Sequence, residues 1–257
     1  MSDIAPAAAK PLFSHPLWQE VIETCKTVLI ALAIALVLRV ALFQPFTIPS
    51  SSMEPGLVTG DYIVVSKYAY GWSRASFPLN PPLFEGRRLG RGPARGDVVV
   101  FRLPRDPGEV WVKRVIGLPG DRVQVLGAKV WVNGRPFQQT VLESAQDHDD
   151  PSRTVPLVRE TQPDGRSHLT YGGAADHAGA QTGVYVVPEH SYFMMGDNRD
   201  NSLDSRWPRE VGVGFLPEQN IIGRAELVLV SWKPGAALTK PWTWLNLQLD
   251  RLLRPIR

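Results

Sequence analysis

The chain has 257 residues, enough for one sizeable domain or two modest ones with a real buried core, which excludes a small stapled scaffold. Its 28 lysines and arginines stand against 25 aspartates and glutamates, and a formal net charge of +3 gives no electrostatic footprint for nucleic acid. Cys25 is the only cysteine, so neither an intrachain disulfide nor a C-x-x-C metal site can form.

Residues 1–20 are polar and rich in Ala and Pro and are expected to be a disordered tail. Residues 21–45 are apolar apart from Glu23, Lys26, Arg39, Gln44 and small polar residues, and the run matches the ~20 residues that a bilayer requires. A single membrane anchor is the expectation, with Arg39 near enough to its end to snorkel to the interface. A cleaved leader would show a shorter apolar core and a small-residue cleavage site, and a buried soluble helix would show a polar face; neither is present. Lys10 and Lys26 are opposed by Asp3, Glu20 and Glu23, so charge says little about orientation.

Where the apolar run stops, residues 46–57 read F-T-I-P-S-S-S-M-E-P-G-L. Pro49 and Pro55 exclude a regular helix, so Ser50, Ser51 and Ser52 run extended or as a turn. In an extended segment Ser50 and Ser52 face one side and Ser51 the other, which aims two hydroxyls at one spot. Residues 61–67, 97–102 and 110–116 are β-rich runs. Between them, residues 71–96 are full of Pro, Gly and Arg and read as a long exposed loop with solvated arginines at 87, 88, 91 and 95. Residues 123–134 carry a hairpin signal ending in Asn133-Gly134. Residues 143–182 turn polar and irregular, and residues 184–187, 192–195 and 225–232 restore the strand pattern. The fold expected is mostly β: an antiparallel sheet domain over residues 46–235 with an inserted β or irregular subdomain at about 121–190, after one transmembrane helix. Residues 236–257 form a tail, and from Lys233 to Arg257 five basic residues stand against one acidic, Asp250. Trp242, Leu245, Leu249, Leu252 and Leu253 lie at helical spacing, which suits a helix on a membrane surface or on the protein's own core.

A serine hydroxyl attacks a carbonyl usefully only if a base takes its proton. His15, His148, His168, His177 and His190 all look like surface residues, and the H-D-D run at 148–150 lacks organised metal-ligand spacing. Lys113 is the better base. On a strand its face-mates are Trp111 and Val115, and desolvation there lowers an amine's pKa toward neutrality. Its potential partner is the densest polar run, G-D-N-R-D-N-S-L-D-S-R at 196–206, which fails the EF-hand pattern and suits a self-bonded network.

In this order the anchor, F-T-I-P-S-S-S-M-E-P-G-L, G-D-Y-I-V-V-S-K, R-G-D-V-V-V-F, V-K-R-V-I-G-L-P-G-D and the 196–206 run resemble the bacterial type I signal peptidases, membrane-anchored Ser/Lys proteases. The resemblance spans most of the chain. It implies that Ser52 is the nucleophile, Lys113 the general base, and Ser50 with the Ser52 N–H the oxyanion donors. Ser202 would orient the lysine, and Asp204, Arg206 and Arg114 would form a supporting ion-pair cluster. Ile48, Pro49, Met53, Leu57 and Val112 would line shallow pockets for small residues, as the family cleaves exported preproteins at Ala-x-Ala-type sites without a metal or cofactor. The partners implied are preprotein signal peptides and the lipid bilayer of the cytoplasmic membrane, with the N-terminus inside and the catalytic domain outside. Departures from the family pattern are Gly56 for a common threonine, Ser51 for a common glycine, and a lengthened stretch at 207–214. Other readings are a peptidase dedicated to one pilus or conjugation subunit, a soluble self-cleaving repressor, and a tethered domain without catalysis; the anchor and the weak net charge oppose the repressor.

Overall fold

The computed structural model describes residues 16–78, 80–82, 84–147, 152–233, 235–236 and 240–256. Most of the expected tail, and the 148–150 run, lie outside the described residues. One helix, α1 (Pro16–Ala41), begins inside the stretch read as tail. Its portion Trp18–Ala41 is long and apolar enough to cross a membrane, and none of it is buried against the rest of the molecule. The helix stops short of residue 45 because the chain turns into a strand, β1 (Phe43–Thr47), at the edge of a sheet. Pro45 cannot continue a helix but is tolerated on an edge strand.

Groups of the following domain take up the carbonyls that the helix end leaves free. Lys67 Nζ donates to Val40 O (3.1 Å), Trp72 Nε1 to Ala41 O (2.8 Å), and the Lys67 N–H to Leu42 O (2.8 Å). Lys67 is fully buried, and burial, helped by Arg102 and Arg39, lowers its pKa to about 8.

The main sheet continues with β2 (Asp61–Ser66), β3 (Val98–Arg102), β4 (Val110–Gly117), β5 (Ser191–Met195), β6 (Phe215–Pro217), β7 (Ile221–Ser231) and β8 (Arg254–Pro255). Its order is β1-β2-β7-β3-β4-β5-β6, with β8 against β7 and every pair antiparallel. Alternation along β3 and β4 separates two apolar cores. Val98, Val100 and Val112 pack with Ile48, Ile63 and Val228, whereas Val99, Phe101, Trp111 and Val115 pack with Met194 and Leu216.

The insertion is more regular than its composition suggests. Gln138–Gln146, Thr154–Thr161 and Ser167–Tyr171 form a three-stranded antiparallel sheet across the segment read as irregular. Its buried residues, Val155, Val158, Glu160, His168, Thr170 and Tyr171, are spread among exposed or half-buried ones, a pattern that overall polarity masks. Arg122–Leu126 and Lys129–Val132 make a hairpin, and Asn133 and Gly134, both at positive φ, turn the chain into Arg135–Pro136. The loop at 71–96 is also tied down. Arg87 reaches inward to the carbonyls of Gly71 (2.8 Å), Glu218 (2.9 Å) and Ile221 (2.6 Å), and Arg95 pairs with Asp121 (2.8 Å), so these two arginines are not free in solvent.

The C-terminal tail is not a helix. It forms two short 3-10 turns, Pro241–Thr243 and Leu249–Arg251, followed by β8. Beyond the bonds of these turns its backbone pairs with the end of β7, Lys233 N–H to Asn246 O (2.9 Å) and Gln248 N–H to Ser231 O (2.9 Å). Arg251 is pulled inward, donating from Nε and Nη2 to Asp61 (2.9 and 2.5 Å) and from Nη2 to Gly56 O (3.0 Å). This ion pair joins the tail to the loop that carries the serines. Arg251→Ala strands the buried Asp61 carboxylate and is expected to lower unfolding stability by about 3–5 kcal/mol. Chemical denaturation in detergent micelles measures it, and a change below about 1 kcal/mol would contradict the role given to the pair.

Candidate active site

Ser50 has extended backbone (φ −145°, ψ 155°), and Ser51–Met53 is a single 3-10 turn. The loop is closed at its base by Ile48 N–H to Asp61 O (2.8 Å) and Gly60 N–H to Ile48 O (3.0 Å). Ser50 and Ser52 line one cleft of about 750 Å³, together with Ile48, Pro49, Val112, Lys113 and Ser202. Ser51 points away into the protein, where its hydroxyl accepts from Asn201 Nδ2 (2.9 Å). The two hydroxyls thus share a side because a turn follows an extended residue. Ser51, the departure from a glycine, ties this turn to the 196–206 run.

Lys113 Nζ lies 2.6 Å from Ser52 Oγ. Lys113 is only 3 % exposed, and burial pulls its pKa from 10.5 down to about 8. The carboxylates of Asp204 and Asp197 oppose that fall and Arg206 adds to it. The Trp111 ring lies 5.4 Å from the amine and covers its strand face. A near-neutral amine in contact with a serine hydroxyl can accept that hydroxyl's proton, which makes the oxygen a nucleophile.

The polar run holds the two in place. Its backbone meets the serine turn at Asn198 N–H to Ser52 O (3.2 Å). A Cβ on Gly196 would collide with Ser52 O and Ser202 Oγ, so only glycine permits this approach. Asp204 accepts from Gly196 N–H (3.0 Å) and from Arg206 Nε and Nη2 (2.8 and 2.9 Å). Burial alone would raise the Asp204 carboxyl, but the Arg206 guanidinium and these N–H groups outweigh it and keep its pKa below the usual value. Arg114, on the face of β4 opposite Lys113, makes a bidentate pair with Asp197 (2.7 and 2.6 Å). Ser202 Oγ is buried beside the cleft and has no hydrogen-bond partner among the described residues.

The sequence reading and the structure diverge at several points. Met53 and Leu57 do not line the cleft: both are fully buried in the core beneath Ile48 and Ile63, so they support its floor. His168 is buried, with Nε2 3.5 Å from Glu160 Oε2, and so is not a surface residue, whereas His177 is partly exposed and lines the cleft. The partners of the buried cations were also missed. Glu160, on the inserted sheet, takes both Arg199 Nη1 (2.7 Å) and Nη2, and Arg206 Nη2 donates to Arg199 O (2.6 Å), so the insertion is wired into the polar run. Phe46, Trp111, Asp200, Asn201 and Trp207 are among the further residues that line the cleft. Asp200 and Asn201 stood in the quoted run and could have been found there, whereas nothing adjacent to His177 signals its position. Among the described residues no cluster of three His, Cys, Asp or Glu could hold a metal.

Comparison with known proteins places these features in context. A family model described as "Signal peptidase, peptidase S26" matches residues 21–232. Signal peptidase I of Rickettsia typhi is 39 % identical over 210 residues, covering 79 % of this chain and 77 % of its own. Signal peptidase I of Rickettsia canadensis is 38 % identical over 216 residues, covering 81 % and 79 %. A crystal structure of a signal peptidase I from Enterococcus faecalis matches 52 % of this chain and 97 % of its own at 26 % identity, with a TM-score of 0.31.

A lysine held at a depressed pKa also sets a stability signature. The unfolded chain binds a proton at Lys113 up to its ordinary pKa of 10.5 and the folded chain only up to about 8, so the burden on the fold is full below pH 8 and gone above 10.5. Lys113→Met is therefore expected to be more stable than wild type at pH 7, by roughly 1–3 kcal/mol, with the gain shrinking as pH rises from 8 to 10.5. Denaturation of both proteins across that pH range tests it; a gain independent of pH would mean the amine is not desolvated.

Proposed function

The chain belongs to the signal peptidase family, peptidase S26, and is a serine-type peptidase that cleaves signal peptides; from that premise we propose that Ser52 and Lys113 form its catalytic dyad and that it cuts exported preproteins after small residues. The observation that carries the dyad is the 2.6 Å contact between Lys113 Nζ and Ser52 Oγ, at a lysine whose pKa is near 8.

In this reading neutral Lys113 takes the Ser52 proton as Oγ attacks the scissile carbonyl. The developing oxyanion is met by the Ser50 hydroxyl and the Ser52 backbone N–H. The lysine ammonium then gives its proton to the departing amine, which leaves an acyl ester on Ser52. Lys113, neutral again, deprotonates a water that hydrolyses the ester and restores the serine. Ser202, whose buried hydroxyl has no hydrogen-bond partner among the described residues, orients the amine. Asp204, Arg206 and Arg114 act indirectly, by holding the loops that carry Ser202 and Ser52. Ile48, Pro49, Phe46 and Val112 give the cleft an apolar wall close to the nucleophile, suited to alanine-sized side chains before the cut.

The anchor arrangement supports a membrane substrate. The chain passes from α1 directly into β1 and reaches Ser52 eleven residues after Ala41, so the site stands close to the bilayer surface. Trp242, Trp244, Leu245, Leu249, Leu252 and Leu253 are all exposed on the tail, with Lys240 and Arg254 beside them. A surface of this kind lies against lipid headgroups even without a helix. The catalytic domain then sits outside the cytoplasm with the N-terminus inside.

Cleavage of a preprotein with an Ala-x-Ala site in detergent tests the dyad. Ser52→Ala and Lys113→Ala are each expected to lower the rate by at least about 10²-fold in folded protein. The wild-type rate should rise about tenfold per pH unit up to pH 8 and level off above it, as Lys113 loses its proton. A full rate in Lys113→Ala, or a flat profile between pH 6 and 9, would remove the lysine from the mechanism.

A further inference from the structure

The cleft is lined by two chemically different sets of residues. Phe46, Ile48, Val100 and Val112 give it an apolar lining, and His177 brings Asp200 (3.7 Å) and Trp207 (6.3 Å between ring centroids) together as a second, more polar part of the same lining. Strand β1 leaves α1 and runs through Phe46 to the serine turn, so Phe46 and Ile48 join the anchor to the serines along the chain, whereas residues 200–207 reach the cleft from a distant segment.

We propose that His177, Asp200 and Trp207 form a subsite for the residue that follows the cut, and that Asp200 gives this subsite a preference for a cationic side chain. The proposal rests on the peptidase reading above. Apart from Lys113, Asp200 is the one charged Asp, Glu, Lys or Arg among the described residues that line the cleft. No lysine or arginine pairs with it among the described residues. Its Oδ2 accepts from Ala174 N–H (2.9 Å), and its Oδ1 lies 3.7 Å from His177 Nδ1. That nitrogen already accepts from Gly179 N–H (3.2 Å), and His177 makes no hydrogen bond to Asp200. The carboxylate therefore presents a negative charge to the cleft. Trp207 adds an aromatic face, edge-on to His177 at 6.3 Å and fixed by Nε1 donating to Ser202 O (3.1 Å). A carboxylate beside an indole face suits a lysine or arginine side chain, by charge and by cation–π contact.

The subsite is rigid enough to discriminate. Asp200 directly follows Arg199, which Glu160 grips from the inserted sheet, and Asn201 donates to Ser51 in the nucleophile turn. The insertion supplies His177 and Ala174, so it shapes the part of the cleft that meets the mature protein's first residue.

Three preprotein-derived peptides, identical except for Lys, Gln or Glu directly after an Ala-x-Ala site, test the proposal through kcat/KM. Wild type is expected to prefer Lys over Glu by about three- to tenfold, with Gln between. Asp200→Asn, which keeps an oxygen for Ala174 N–H, should bring that ratio to about 1. In wild type the ratio should also shrink as salt is raised from about 0.05 to 0.5 M, a measurement that needs no variant. A wild-type ratio near 1, or a ratio unmoved by both Asp200→Asn and salt, overturns the subsite. Failure of the underlying peptidase reading looks different: the Gln peptide would then show no cleavage that Ser52→Ala abolishes.

Discussion

The structure depends on one unfavourable arrangement, an amine held away from water beside a serine hydroxyl. A lysine on a half-exposed strand would stay charged and snorkel to solvent, and a charged amine cannot take a proton. Lys113 avoids this because Trp111 covers its strand face and the serine turn closes over its end. The same burial that lowers its pKa makes it a burden on the fold, and the surrounding contacts have to offset that burden.

Those contacts are buried ion pairs, which are weak stabilisers in general because desolvation opposes them. Their use here is geometric. Arg114–Asp197 and Arg199–Glu160 each lock one segment to another, Arg206–Asp204 braces the 196–206 run from within, all with paired N–H···O bonds, and each anion is held by two or more donors. A loop such as 196–206, with little apolar surface of its own, cannot be positioned by core packing. Bonds of this directionality do it instead.

A second constraint acts at the C-terminal end of α1. The last carbonyls of α1 are taken by Lys67 and Trp72, and Arg251 of the C-terminal tail binds Asp61 and Gly56 at the other side of the serine loop. Helix, serine loop and tail are therefore fastened together.

Much was legible in the sequence because it depends on local rules. The apolar run predicted a helix, alternation predicted the strands of an antiparallel sheet, and the ordered motifs pointed to the signal peptidase family, which the comparisons show. Other features were out of reach because they are settled by partners far away in the chain. The 3-10 turn at Ser51–Met53, the burial of Met53 and Leu57, and the entry of His177 into the cleft follow from packing between segments more than a hundred residues apart. The tail shows the difference most clearly. Its helical spacing is real, yet Arg251 gains more from pairing with Asp61, 190 residues away, than a short isolated helix gains from its own hydrogen bonds. The sequence by itself determined which elements exist and which chemical groups are on hand; tertiary structure alone decided which charges are buried together, since burial and pairing depend on distances that no local pattern encodes.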